Sequence, residues 1–154
     1  MIRAAALASG DGVKLQAILD SVYFKEIPNF ELVAVICPQK DAYAMKRAIS
    51  AKVPAYVVDP ELFPTMTSHS MAVANKLRDM DVELVILAGY DLPLGVIPYQ
   101  LKNRMIGTYP ALFPAFEEHE GDIHRAVLER GVKITGATAY FADGDGRVGG
   151  IISQ

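Results

Sequence analysis

Ile2-Arg3-Ala4-Ala5-Ala6-Leu7-Ala8-Ser9-Gly10-Asp11-Gly12-Val13-Lys14-Leu15-Gln16-Ala17-Ile18-Leu19 decides the architecture. Ile2–Ala8 is an apolar run of strand length, and Leu15-Gln16-Ala17-Ile18-Leu19 places apolar residues on one side of a helix. Ser9–Gly12 joins them through a turn in which glycine lets the backbone bend sharply. The unit repeats downstream. Further apolar, β-rich runs occur at Leu32–Cys37, Ala55–Val58 and Leu84–Ala88, and helix-like stretches lie between them at Ala42–Ala51 and Ser70–Met80. Continuous apolar strands alternating with helices predict an α/β fold: a mostly parallel, twisted sheet with helices on both faces and right-handed crossovers.

The second half is less regular. Pro93, Pro98, Pro110 and Pro114 break it into short pieces. Asp122–Arg130 reads as a helix closed by Gly131, and Thr135–Phe141 as a strand. Gly144, Gly146, Gly149 and Gly150 surround a tight loop before a last strand that begins at Ile151-Ile152. No repeat or linker divides the chain, so residues 1–154 are read as one domain.

Composition narrows the function. The chain is 51% hydrophobic and 21% charged, which marks it as globular rather than disordered. A net charge of −3 without any basic block argues against a nucleic-acid partner. The apolar runs are far short of a membrane span, and the N-terminal run is too short for a signal peptide. Cys37 is the single cysteine; it cannot form an internal disulfide and reads as a small core residue, so a reducing cytoplasm is the simplest compartment.

The first turn is the foremost candidate site. Gly10, Asp11, Gly12, Val13 and Lys14 lead into a helix whose N-terminal N–H groups and dipole favour an anion such as a phosphate. Lys14 adds charge in favour and Asp11 opposes it. The turn also has a plainer reading, in which Ser9 or Asp11 caps the helix. The full G-x-G-x-x-G pattern fails, because Leu15 holds the third glycine position.

Four segments in order resemble the glycinamide ribonucleotide transformylase family. Ser9–Ile18 is similar to S-G-x-G-S-N-L-Q-A-I, and Val85-Ile86-Leu87-Ala88-Gly89-Tyr90 to V-V-L-A-G-F/Y. Gly107-Thr108-Tyr109-Pro110-Ala111-Leu112-Phe113-Pro114 is similar to N-I-H-P-S-L-L-P. His124-Arg125-Ala126-Val127-Leu128 and Gly136-Ala137-Thr138-Ala139-Tyr140-Phe141 are similar to H-R-Q-A-L and G-x-S-V-H-F. The resemblance implies a Rossmann-like formyltransferase fold and descent from an enzyme of purine synthesis. That enzyme moves a formyl group from 10-formyltetrahydrofolate, a co-substrate rather than a bound cofactor, to the amine of glycinamide ribonucleotide. It further implies a folate pocket at Gly89, Tyr90, Asp91, Leu92 and Leu94, where the family's M-R-I-L is replaced and Pro93 removes an N–H.

Formyl transfer needs a donor aimed at the developing oxyanion and groups that move the amine's proton. The resemblance places the family's Asn at Gly107, which has no side chain, and its His at Tyr109, normally neutral at pH 7. The late Asp falls on Val148 if Gly149-Gly150 is matched to G-G, or on Arg147 without a gap; Asp143 and Asp145 are the nearby substitutes. The His of S-V-H-F is Tyr140, and the Ser of the family's G-S-N turn is Val13. The expected function is therefore that of a diverged formyltransferase-like protein that binds a small phosphorylated ligand and transfers formyl groups poorly. The alternatives are an active transferase with a rearranged site using Tyr109 and Asp143 or Asp145, and a structural or regulatory subunit.

Other residues receive plainer readings. His119 and His124 among Glu117, Glu118, Glu120 and Asp122 read as a solvated acidic loop with a capping Asp rather than a metal site. Asp143-Gly144-Asp145-Gly146 reads as a turn rather than a calcium loop. His69 reads as a surface residue, and Met66, Met71 and Met80 as core fillers. The chain ends where the family continues into a closing helix, so the C-terminally shortened sheet is expected to be covered by a second copy in a homodimer.

Overall fold

The computed structural model describes all residues from Met1 to Gln154. Seven strands form one sheet in the order β3-β2-β1-β4-β5-β6-β7. The strands are β1 (Ile2–Leu7), β2 (Phe30–Cys37), β3 (Ala55–Val57), β4 (Leu84–Leu87), β5 (Met105–Tyr109), β6 (Thr138–Ala142) and β7 (Val148–Ser153). β1 to β5 pair in parallel, and β6 and β7 add an antiparallel edge. The helices are α1 (Val13–Tyr23), α2 (Tyr43–Ser50), α3 (Met66–Asp79), α4 (Ile97–Gln100) and α5 (Ile123–Glu129).

Alternation along β1 divides the core. Ala4, Ala6 and Ala8 join Leu15, Leu19, Ala44 and Ala48 under α1 and α2. Ala5 and Leu7 face the other way, joining Val73, Leu77, Ile97 and Met105 beneath α3 and α4. In β2, Leu32 and Val35 share the first cluster although they stand three positions apart, a spacing that puts residues of a regular strand on opposite faces. The cause is an irregularity in the β1–β2 ladder, where Ala4 pairs with Leu32 but Ala5 with Ala34.

The regular first half follows the expected elements closely, and four details of the chain differ. α3 begins at Met66, ahead of Ser70, because Thr65 and Ser68 form a reciprocal capping box. β6 begins only at Thr138, leaving 135–137 outside the strand. His69 is not a surface residue: it is 1% exposed, with Nε2 2.8 Å from the Val58 carbonyl oxygen. It lies on the same helical face as Val73 and Leu77, which its polar neighbours obscure. Met66 and Met71, at 40% and 46% exposure, are not core fillers, whereas Met80 does pack against the core. The buried face of α3 is instead built from His69, Ser70, Val73, Ala74 and Leu77.

Candidate functional site

The sheet order reverses between β1 and β4, so the chain leaves these strands in opposite directions and opens a crevice at their C-terminal ends. Two loops meet there. Ser9 donates its N–H to the Gly89 carbonyl oxygen at 3.1 Å. The Ser9 hydroxyl donates to the Asp91 carboxylate and accepts the Asp91 N–H at 3.2 Å. Ser9 therefore ties the glycine turn to the loop after β4 rather than capping α1.

The turn itself is clamped by α2. Gly12 has φ 69°, and a Cβ there would lie 2.8 Å from the Ala44 Cα, so only glycine fits. Ala44 donates its N–H to the Gly10 carbonyl at 3.1 Å. Arg47 donates from Nε to the Asp11 carbonyl at 2.7 Å and from a terminal nitrogen to Gln16 at 2.9 Å. The Asp11 carboxylate accepts the Val13 N–H at 3.1 Å, while the N–H groups of Gly12 and Lys14 find no partner in the protein. The helix start is thus partly self-capped and partly open. Lys14 is exposed and reaches across the crevice, its Nζ 3.4 Å from the Thr108 carbonyl oxygen.

A cleft of about 320 Å³ occupies this point. Lys14, Leu92, Leu94, Thr108, Tyr140 and Asp145 are among its walls, so the first turn, the loop after β4, the end of β5 and the β6–β7 hairpin all contribute. Tyr90 also lines it, but its hydroxyl is buried without a partner. Burial, followed by the neighbouring Asp91 and Cys37, pushes that phenol up to about 12. Two surface depressions of the same volume lie elsewhere, one near Arg78, Glu83 and Arg104 at the N-terminal ends of β4 and β5, and one between α1 and α2. Neither is at the strand-order reversal where α/β sheets hold ligands.

The positions expected to bear catalysis separate. Gly107 is buried in β5 and pairs directly with Tyr140 of β6. A Cβ at 107 would lie 2.7 Å from both Cζ and Oη of Tyr140, so the tyrosine ring fills the room a side chain would need. Tyr109 points elsewhere: its hydroxyl donates to the Ala115 carbonyl oxygen at 2.8 Å and its ring packs edge-on to Phe113. Burial and the Glu117 carboxylate both hold its phenol above the ordinary range. Thr138 anchors the same loop, accepting from the Phe113 N–H at 3.0 Å and donating to Ala111 at 2.8 Å.

The late loop carries its acids differently from each other. Asp143 is engaged in its own turn, where its carboxylate accepts the N–H groups of Asp145 at 2.9 Å and Arg147 at 2.8 Å. Val148 lies in β7 opposite Ala142. Asp145 alone of the two acids lines the cleft. Asp122 caps α5 through the N–H groups of His124 and Arg125.

The formyl transferase family matches residues 2–154. The chain is 31% identical over 99% of its length to the trifunctional purine biosynthetic protein adenosine-3 of Gallus gallus, of which it spans 15%. It is 29% identical over its whole length to the phosphoribosylglycinamide formyltransferase of Bacillus subtilis, covering 78% of that protein. Among solved structures, glycinamide ribonucleotide transformylase 1 from Symbiobacterium toebii superposes with a TM-score of 0.89 at 38% identity, over 100% of this chain and 72% of that one. No helix is long and apolar enough to cross a membrane.

Proposed function

Because this chain belongs to the formyl transferase family, we propose that it binds a small phosphorylated amine of the glycinamide ribonucleotide kind at the Gly10–Lys14 turn, and a folate formyl donor in the adjoining cleft, but transfers the formyl group slowly. The observation that carries this reading is the convergence of Lys14, the loop after β4 and the β5–β6 pair on one cleft. In the reaction, the amine lone pair forms a new C–N bond to the formyl carbon and the carbonyl π pair moves to oxygen. That pair returns as the C–N bond to the donor breaks, and one proton passes from the incoming to the outgoing nitrogen. Each step wants a polar group in place beforehand. Here position 107 has no side chain, the Tyr109 hydroxyl is committed to Ala115, and the Asp143 carboxylate is committed to its turn.

Ligand binding should survive these losses, because it rests on the turn. Lys14 is its only cation lining the cleft. A charge-assisted contact contributes about 1.5–3 kcal/mol, so Lys14→Ala should weaken glycinamide ribonucleotide binding about 10- to 100-fold in calorimetry. Equal affinities for the two proteins would remove Lys14 from the site.

A second reading is an active transferase with a rearranged site, and the presence of Tyr140 and Asp145 in the cleft favours it. In that reading the working pair is Tyr140 and Asp145, not Tyr109 and Asp143.

A further inference from the structure

We infer that the Tyr140 hydroxyl takes the place of the missing side chain at position 107, donating a hydrogen bond to the formyl oxygen of a donor held in the cleft. This rests on the reading that the cleft accepts a folate formyl donor. Gly107 and Tyr140 are directly opposed across the antiparallel β5–β6 ladder, the arrangement in which side chains on one face of two strands come closest. The ring folds over Gly107, which brings its Cζ and Oη within 2.7 Å of where a Cβ would stand. The two replacements are therefore one coupled change: any larger residue at 107 would collide with the phenol, and the phenol has room only because 107 is glycine.

The chemistry of the group suits the role. Tyr140 lines the cleft and its hydroxyl makes no hydrogen bond to the protein, in contrast to Tyr109, whose hydroxyl is taken by Ala115. The ring is half-buried and packs against the apolar cluster beneath α3, which fixes its direction. Burial holds its phenol above the ordinary range, so it stays protonated and can donate at neutral pH. A neutral O–H aimed at a carbonyl oxygen is a usable partner for the charge that develops there.

The test compares 10-formyltetrahydrofolate with tetrahydrofolate, which lacks the formyl group, on wild-type protein and Tyr140→Phe. Losing one neutral hydrogen bond should weaken the formylated ligand about 3- to 10-fold and leave tetrahydrofolate unchanged. Gly107→Ala, which forces the phenol aside without removing it, should give the same selective loss. Gly107→Asn combined with Tyr140→Ala makes room for an amide donor and should restore the preference for the formylated ligand. If Tyr140→Phe weakens both folates equally, or neither, the ring only packs and the assignment is wrong. If wild-type protein binds glycinamide ribonucleotide but neither folate, the donor site itself is wrong and the Tyr140 assignment falls with it.

Discussion

Formyl transfer from 10-formyltetrahydrofolate to glycinamide ribonucleotide by this chain should run at least on the order of 100-fold below the Bacillus subtilis phosphoribosylglycinamide formyltransferase assayed beside it. Losing a single oxyanion donor typically costs on the order of 100- to 1000-fold in rate. Tyr140 stands in for that one neutral donor, so the deficit rests on the charged and proton-moving groups that nothing replaces, each of which contributes on the order of 100-fold or more. No charged group stands beside it at position 109, where the tyrosine hydroxyl is bound to Ala115, and the nearest cleft acid is Asp145 on an exposed hairpin. Groups that act as a unit do not lose rate additively, so the expected deficit is a floor rather than a product of separate factors. A rate within about tenfold of the relative would overturn the slow-transfer reading and promote the rearranged site. In that case Asp145→Asn and Tyr140→Phe should each depress kcat, while Asp143→Asn should act through stability of its turn.

The largest structural effect is expected at Gly12. Gly12→Ala should destabilise the chain by about 2–5 kcal/mol in chemical denaturation, the sum of a left-handed backbone penalty and overpacking. The added methyl would stand 2.8 Å from the Ala44 Cα, which is backbone and cannot rotate away. Relief requires α1 and α2 to separate, and that breaks the Ala44 to Gly10 and Arg47 to Asp11 hydrogen bonds that hold the turn. Gly10→Ala is the control: its φ is also positive, at 58°, but nothing lies within 4 Å of the new Cβ. It should cost only the backbone penalty, about 1–2 kcal/mol. Equal costs at the two positions would mean that the contact with α2 does not constrain the turn.

The fold was legible because its signals are local. Apolar runs mark β1, β2, β3 and β4 to within a few residues, and the glycine turn marks the β1–α1 junction. The family motifs were legible for the same reason: each is a short segment read on its own. What escaped the sequence depends on register and distance. Gly107 and Tyr140 read as two separate losses, and only their pairing across β5 and β6 joins them. Arg47 gave no sign that it clamps a turn 36 residues earlier, because nothing near it in sequence is part of that turn. Asp143 and Asp145 were interchangeable on paper, since their separation depends on which carboxylate closes the hairpin. His69 was misread through its polar neighbours, although its spacing to Val73 and Leu77 already placed it on the buried face.

The claim that most of this rests on is that a phosphorylated ligand sits at the first turn and extends into the cleft at the β1–β4 reversal. Titration of glycinamide ribonucleotide into nitrogen-15-labelled protein, followed by amide chemical shifts, tests it directly. The account predicts saturable shifts centred on the N–H groups of Gly12 and Lys14, which have no partner in the protein, and continuing to Thr108, Tyr140 and Asp145. Shifts confined to the groove between α1 and α2, around Tyr23, Tyr43 and Lys46, or no saturable shifts at all, would contradict it.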